Sequence, residues 1–141
     1  MLIFVESETI LGLTIITDSM ARHNKLGKSG EEYAAEYLTS RGYVVRDCNW
    51  RSGKLELDLV AVKDNCLVIV EVKTRRNADF AFPEEAVTES KIRHLVKAAD
   101  AYVRQFDLPF DVRFDVLALV GEVPPFVIEH IEDAFVPPLN V

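Results

Sequence analysis

The sequence predicts an α/β domain, a mixed β-sheet flanked by helices, with elements in the order α-β-β-β-α-β-β. Three observations carry that prediction. Of the 141 residues, 49% are hydrophobic and 28% charged, with only 6 Gly and 6 Pro, which is the make-up of a folded core and not of a disordered chain. Three strand-like runs follow one another through links so short that antiparallel pairing is favoured. A long amphipathic segment then separates the third run from a fourth, and a helix in that place is the connection a parallel pair requires.

Each element has its own local signal. Ser29-Gly30-Glu31-Glu32 has the Ser-x-x-Glu spacing of a capping box, in which a hydroxyl and a carboxylate satisfy free amides at a helix start. Tyr33, Ala34, Tyr37 and Leu38 recur at helical spacing, and Arg41-Gly42 closes the segment. Tyr43–Trp50, Leu55–Val62 and Cys66–Thr74 read as strands, separated by Arg51-Ser52-Gly53-Lys54 and by a turn at Asp64-Asn65. After a loop through Phe80, Phe82 and Pro83, a helix from about Thr88 to Gln105 places Ile92, Leu95, Val96, Ala99, Tyr102 and Val103 on one face. Val112–Val120 and Phe126–Ile131 are the last two strands, and the tail ends in Pro137-Pro138.

Residues 1–23 read as an N-terminal extension and 24–141 as the domain. Ile10–Ile16 is apolar but far shorter than the roughly 20 residues that span a bilayer. Glu6 and Glu8 stand where a signal peptide would be positive, so a cytoplasmic protein without membrane contact is expected. Met20 precedes the organised region, and translation starting there is a second expectation; peptides from residues 1–19 in native protein would end it. Cys48 and Cys66 are too few for a disulfide scaffold, which suits a reducing compartment.

The net charge of −7, taken alone, argues against a nucleic-acid partner. Its distribution weakens that argument. Residues 21–54 hold seven basic against four acidic side chains, 55–106 are nearly balanced, and 107–141 hold seven acids and one base. The acidity sits at the ends of a mildly basic middle.

The chemistry concentrates in the hairpin between the second and third strands. Alternation puts Leu55, Leu57 and Leu59 on one face and Glu56 and Asp58 on the other. A two-residue turn at Asp64-Asn65 sets Asp58 opposite Glu71, Glu56 opposite Lys73, Leu57 against Val72 and Leu59 against Val70. Directly opposed Cβ atoms lie about 4.5–5.5 Å apart, where like charges are destabilising. On an exposed face the two acids would splay into water, and Glu56–Lys73 would be an ordinary ion pair. On a strand covered by helices from both sides the acids are buried, and buried acids must be paired or metal-bound. A hard divalent cation is one answer, since Mg²⁺ is held by one or two carboxylates, waters and substrate phosphate.

Asp58 followed thirteen residues later by Glu71-Val72-Lys73 resembles the Asp…Glu-x-Lys core of the PD-(D/E)XK nuclease superfamily, with its restriction-endonuclease-like α-β-β-β-α-β core. Gly27–Ala34, Gly42-Tyr43 through Asn49-Trp50-Arg51, Glu56–Ala61 and Val70–Arg75 together resemble the bacterial YraN-like family, also called UPF0102. Pro83 to Lys91 and Arg113-Phe114-Asp115 fit its later motifs, so that the likeness covers about residues 24–120. One position departs: the family's glycine before the first acid is Leu55 here, with Gly53 two residues earlier, so the loop entering that strand is expected to differ in shape.

The resemblance implies a metal-dependent nuclease acting on DNA, with branched or recombining structures as candidate substrates and Mg²⁺ or Mn²⁺ as cofactor. Asp58 and Glu71 would ligate the metal. Lys73 would orient the attacking water or stabilise the phosphorane charge, Glu31 would be the auxiliary acid of related junction resolvases, and Glu56 would support Lys73. Lys28, Arg51, Arg75 and Lys91 are candidate phosphate contacts, and Trp50 or Phe82 candidate stacking platforms, against the plainer reading of surface charge and core aromatic. His23, His94 and His130 form no ligand spacing. Two other classes stay open: a nucleic-acid-binding accessory protein with little turnover, and a protein-interaction domain. Whether a homodimer forms to cut both strands is also open.

Overall fold

The computed structural model of the chain describes residues 29–76 and 87–137. The N-terminal stretch with Lys28, and the loop with Phe80, Phe82 and Pro83, lie outside them. The elements are α1 (Gly30–Ser40), β1 (Val44–Ser52), β2 (Leu55–Lys63), β3 (Cys66–Arg75), α2 (Glu89–Phe106), β4 (Asp111–Val120) and β5 (Val127–Ile131). The five strands form one sheet in sequence order, antiparallel except for the parallel pair β3–β4. This is the expected mixed sheet between helices, and the second helix is the crossover that makes β3 and β4 parallel.

Local chemistry sets the boundaries. The capping box forms in full: Glu32 N–H donates to Ser29 Oγ at 3.2 Å, and Ser29 N–H donates to Glu32 Oε1 at 2.8 Å. Thr88 caps α2, accepting from Lys91 N–H. Asp64 and Asn65 take φ 52° and 62°, the two left-handed positions of a type I′ turn, which fixes the β2–β3 register. Ser52 pairs with Leu55 around a two-residue Gly53-Lys54 turn, and Gly53 at φ 61° supplies the conformation a type II′ turn reserves for glycine. The departure at Leu55 is thus accommodated by a tight hairpin, and β1 runs through Arg51 and Ser52, two residues expected to be linker.

The sheet separates two apolar layers. On one face Ala34 and Leu38 of α1 meet Tyr43, Leu59, Ala61, Val68, Val70, Leu117 and Leu119. On the other, Leu95, Ala98, Ala99 and Tyr102 of α2 meet Trp50, Leu57, Val60, Leu67, Ile69, Phe114 and Val116. Covered on both sides, β3 is buried continuously from Leu67 to Glu71.

The α1 face also holds a buried polar cluster. Asp115, with no exposed side-chain surface, accepts from Arg113 Nε at 2.8 Å, Arg113 Nη2 at 2.7 Å and Asp133 N–H at 2.9 Å, and its Oδ2 lies 2.7 Å from His130 Nε2. Arg113 also donates to Tyr43 Oη at 2.8 Å. This network ties β4, β5 and the start of β1 together, which gives His130 a structural role and accounts for the Arg113-Phe114-Asp115 motif.

Candidate functional site

The β2–β3 ladder follows the expected register through Lys63↔Cys66 to Leu59↔Val70 and stops there. Past that pair a side chain takes over from the backbone: Asp58 Oδ2 accepts the Val72 N–H at 2.9 Å. Carboxylate-to-amide bonding replaces the next strand pair, and the two strands part where the acids sit.

The same place breaks the alternation. Leu57 and partly buried Leu55 pack with Trp50 against α2, whereas Leu59 packs against α1, so the three leucines do not share the single face expected of them. On β1 alongside, Asn49, between the partners of Leu59 and Leu57, takes φ 54°, outside the extended region. Irregularities of this kind re-aim side chains.

Glu56 is exposed, and its cross-strand partner is Arg51 of β1, not Lys73 of β3. The expected Glu56–Lys73 pair is therefore not formed, because the ladder that would have made it ends three residues earlier. Lys73 instead places Nζ 3.4 Å from Glu71 Oε2, and Lys91, reaching down from the first turn of α2, places Nζ 3.5 Å from the same oxygen. Lys91, expected among the phosphate contacts, stands in the fold against the Glu71 carboxylate. Its position three residues after the Thr88 cap was a signal that could have found it, since a cation in a helix's first turn opposes the helix dipole and calls for a nearby anion.

Glu71 is only 4% exposed. Asp58 is half-buried beside it, and its pKa is pushed up to about 6, first by burial, then by the Glu71 charge and a side-chain hydrogen bond with Glu71, against the lowering effect of the Val72 amide and Lys91. Asp58 therefore holds its proton more tightly than an exposed carboxyl does. Among the described residues no group of three or more His, Cys, Asp and Glu side chains could hold a metal ion.

The remaining predicted residues lie around this centre. Glu31 is partly buried in the first turn of α1, near enough to Cys48 to raise its thiol pKa, which burial raises first. Gly30 beside it approaches β3 so closely that a Cβ there would meet Thr74 Oγ1 at 2.8 Å, so α1 starts at the end of β3 that carries the acids. No hydrogen bond or ion pair joins Glu31 to Asp58 or Glu71 among the described residues. Arg51 is exposed on β1, and Arg75 is the last residue of β3. Trp50 is 9% exposed, edge-on to Tyr102 at 5.3 Å, which corrects the stacking expectation: a ring under α2 cannot meet a base. Among the described residues no helix is long and apolar enough to cross a membrane.

Against known proteins, the model of the uncharacterised protein family UPF0102 matches residues 30–119. The chain is 55% identical over 120 residues to a UPF0102 protein of Phocaeicola vulgatus, covering 85% of this chain and 99% of that protein. It is 56% identical over 120 residues to one from Bacteroides thetaiotaomicron, with the same coverage. A relative from Flavobacterium psychrophilum is 49% identical over 116 residues, 82% of this chain and 98% of its own.

Proposed function

The chain belongs to the UPF0102 family, and from that membership together with the buried acid pair we propose that it is a divalent-metal-dependent nuclease that hydrolyses DNA phosphodiester bonds, with branched or recombining DNA as its substrate class. Neither the family's description nor its relatives' names state an activity, so the chemistry of the site carries the reading. The observation behind it is Asp58 and Glu71 held against each other at the end of a covered strand, with Lys73 beside them. Adjacent acids, one buried and one half-buried, repel each other and lose hydration, and the two lysine contacts within reach both go to Glu71.

The donors fit Mg²⁺ or Mn²⁺: two carboxylates supply hard oxygens, leaving room for waters and a substrate phosphate. When bound, such an ion polarises a phosphoryl oxygen and lowers the pKa of its water. The chain supplies the rest. Asp58 and Glu71 would hold the ion, and the Val72 amide fixes the orientation of the Asp58 carboxylate. Lys73, kept at the site by Glu71, puts positive charge where negative charge builds on the phosphorus oxygens. Glu31, partly buried at the adjoining start of α1, is the additional acid of this reading.

The test is a cleavage assay with Mg²⁺ or Mn²⁺ on single-stranded, duplex, flap and four-way DNA, comparing wild type with Asp58→Ala and Lys73→Ala. Cleavage by wild type and its loss in both variants is the expected result. Equal residual activity in all three proteins points to a contaminant and overturns the proposal. Binding without cleavage in every protein replaces it with the accessory role.

A further inference from the structure

Arg75 ends β3 with an unmet need. Its Nε is buried and has no hydrogen-bond partner. Guanidinium stays charged in proteins and offers donors only, so a buried, unmatched N–H of this kind costs free energy until an acceptor arrives. The nearby carboxylates are already engaged: Glu71 takes Lys73 and Lys91, and Asp58 takes the Val72 amide.

Its position names the acceptor. The parallel β3–β4 register runs unbroken to Arg75↔Val120, and Gly121 N–H anchors the Arg75 carbonyl at 2.7 Å. Alternation along this regular strand places Glu71, Lys73 and Arg75 on one face, Arg75 about 6.6 Å beyond Lys73. The row therefore runs from acid to lysine to arginine toward the carboxyl end of a parallel pair, where α/β sheets open their ligand crevices. An anion with several acceptor oxygens, entering from that end, meets the arginine after the lysine. Arginine's planar fork matches phosphate.

We propose that Arg75, with Lys73 at its side, forms a phosphate-binding subsite next to the acid pair, taking the phosphate adjacent along the strand to the one that is cut. The identity of the ligand as a nucleic-acid strand rests on the nuclease reading; the subsite itself rests on Arg75. Lys91 stands on the first turn of α2, outside this row of strand residues, and is not part of it.

The experiment measures binding of a fluorescein-labelled single-stranded oligonucleotide over a salt series, in an Asp58→Asn background that leaves the probe intact, with Arg75→Gln and Arg75→Lys compared. Removing one cation that neutralises a phosphate flattens the slope of log K against log salt by about 0.7 for a single strand. Arg75→Gln is expected to flatten it by that amount and Arg75→Lys, which keeps the charge, to retain it, both melting no lower than the parent. In a second arm, inorganic phosphate raises the melting temperature of the parent but not of Arg75→Gln. An unchanged slope together with an equal phosphate response overturns the subsite, even if wild-type protein cleaves DNA, in which case the nuclease reading stands without it. A flattened slope with no cleavage by wild type keeps the subsite and overturns the nuclease reading. A phosphate response with an unchanged slope overturns the assignment to a strand.

Discussion

Replacing Asp58 by Asn should make the metal-free protein more stable while removing a proposed ligand. Asn keeps an acceptor oxygen for the Val72 amide, now 2.9 Å away, and removes the charge facing Glu71. The Asp58 pKa stands at about 6 against an ordinary 3.8, so the folded state holds this proton more tightly than the unfolded one. Stability from this group is thus fully present below about pH 4 and is lost as pH rises through about 6. A rise of roughly two pH units, at about 1.36 kcal/mol each, gives an upper bound near 3 kcal/mol. Asp58 is only half-buried, and screening trims this to about 1–2 kcal/mol. For a chain of this size that is a rise in Tm of about 3–7 °C. The assay is thermal unfolding of both proteins at pH 4 and pH 8 in chelator, with the gap expected at pH 8 and closing toward pH 4. A variant that melts at or below the wild-type temperature at pH 8 would refute the claim that the acid pair is strained.

Three further outcomes follow from the packing. Arg113→Met leaves the fully buried Asp115 carboxylate without its two guanidinium bonds, and urea unfolding should show a drop in stability of about 3–5 kcal/mol. In the wild type, burial alone would raise the Asp115 pKa, but His130, Arg113 and the Asp133 amide hold it below the usual value, so this network's stability is present at neutral pH and lost on acidification below about pH 4. Trp50→Ala should cost about 3–5 kcal/mol in the same assay and leave the salt slope of DNA binding unchanged, because the ring is core under α2. Asn65→Gly relieves a left-handed residue at φ 62° and should raise stability by about 0.5–1 kcal/mol in urea, with the β2–β3 register intact by amide exchange.

What could be read without coordinates was whatever short-range chemistry controls. The Ser29 capping box, the Asp64-Asn65 turn and the amphipathic stripe of Leu95, Ala99 and Tyr102 are decided within a few residues of themselves, and each stands where the pattern put it. The register from Leu59↔Val70 to Lys63↔Cys66 belongs to the same class, because a two-residue turn dictates its neighbours. Two-sided burial of β3 was legible too, from an apolar run too long for an exposed hairpin. Asp58 and Glu71 lie just past the end of that register, where a side-chain hydrogen bond joins them.

The details of the site did not follow, because they depend on elements distant in sequence. Only the packed fold lays Asn49 of β1, with its left-handed backbone, between the partners of Leu57 and Leu59, where Leu57 goes to α2 while Leu59 stays with α1. Only the end of the β2–β3 ladder frees the Val72 amide for the Asp58 carboxylate, and Glu56 is left with Arg51 of β1 as its cross-strand partner. Lys91 reaches Glu71 because the crossover lays α2 over the end of β3, and Trp50 is buried for the same reason. The sequence by itself determined the elements, their order and the pair of acids, since those rest on local periodicity and turn geometry. The tertiary structure alone decided which charges meet those acids and which donor, on Arg75, is left waiting for an acceptor, because burial and partners come from chain segments that no short window of sequence contains.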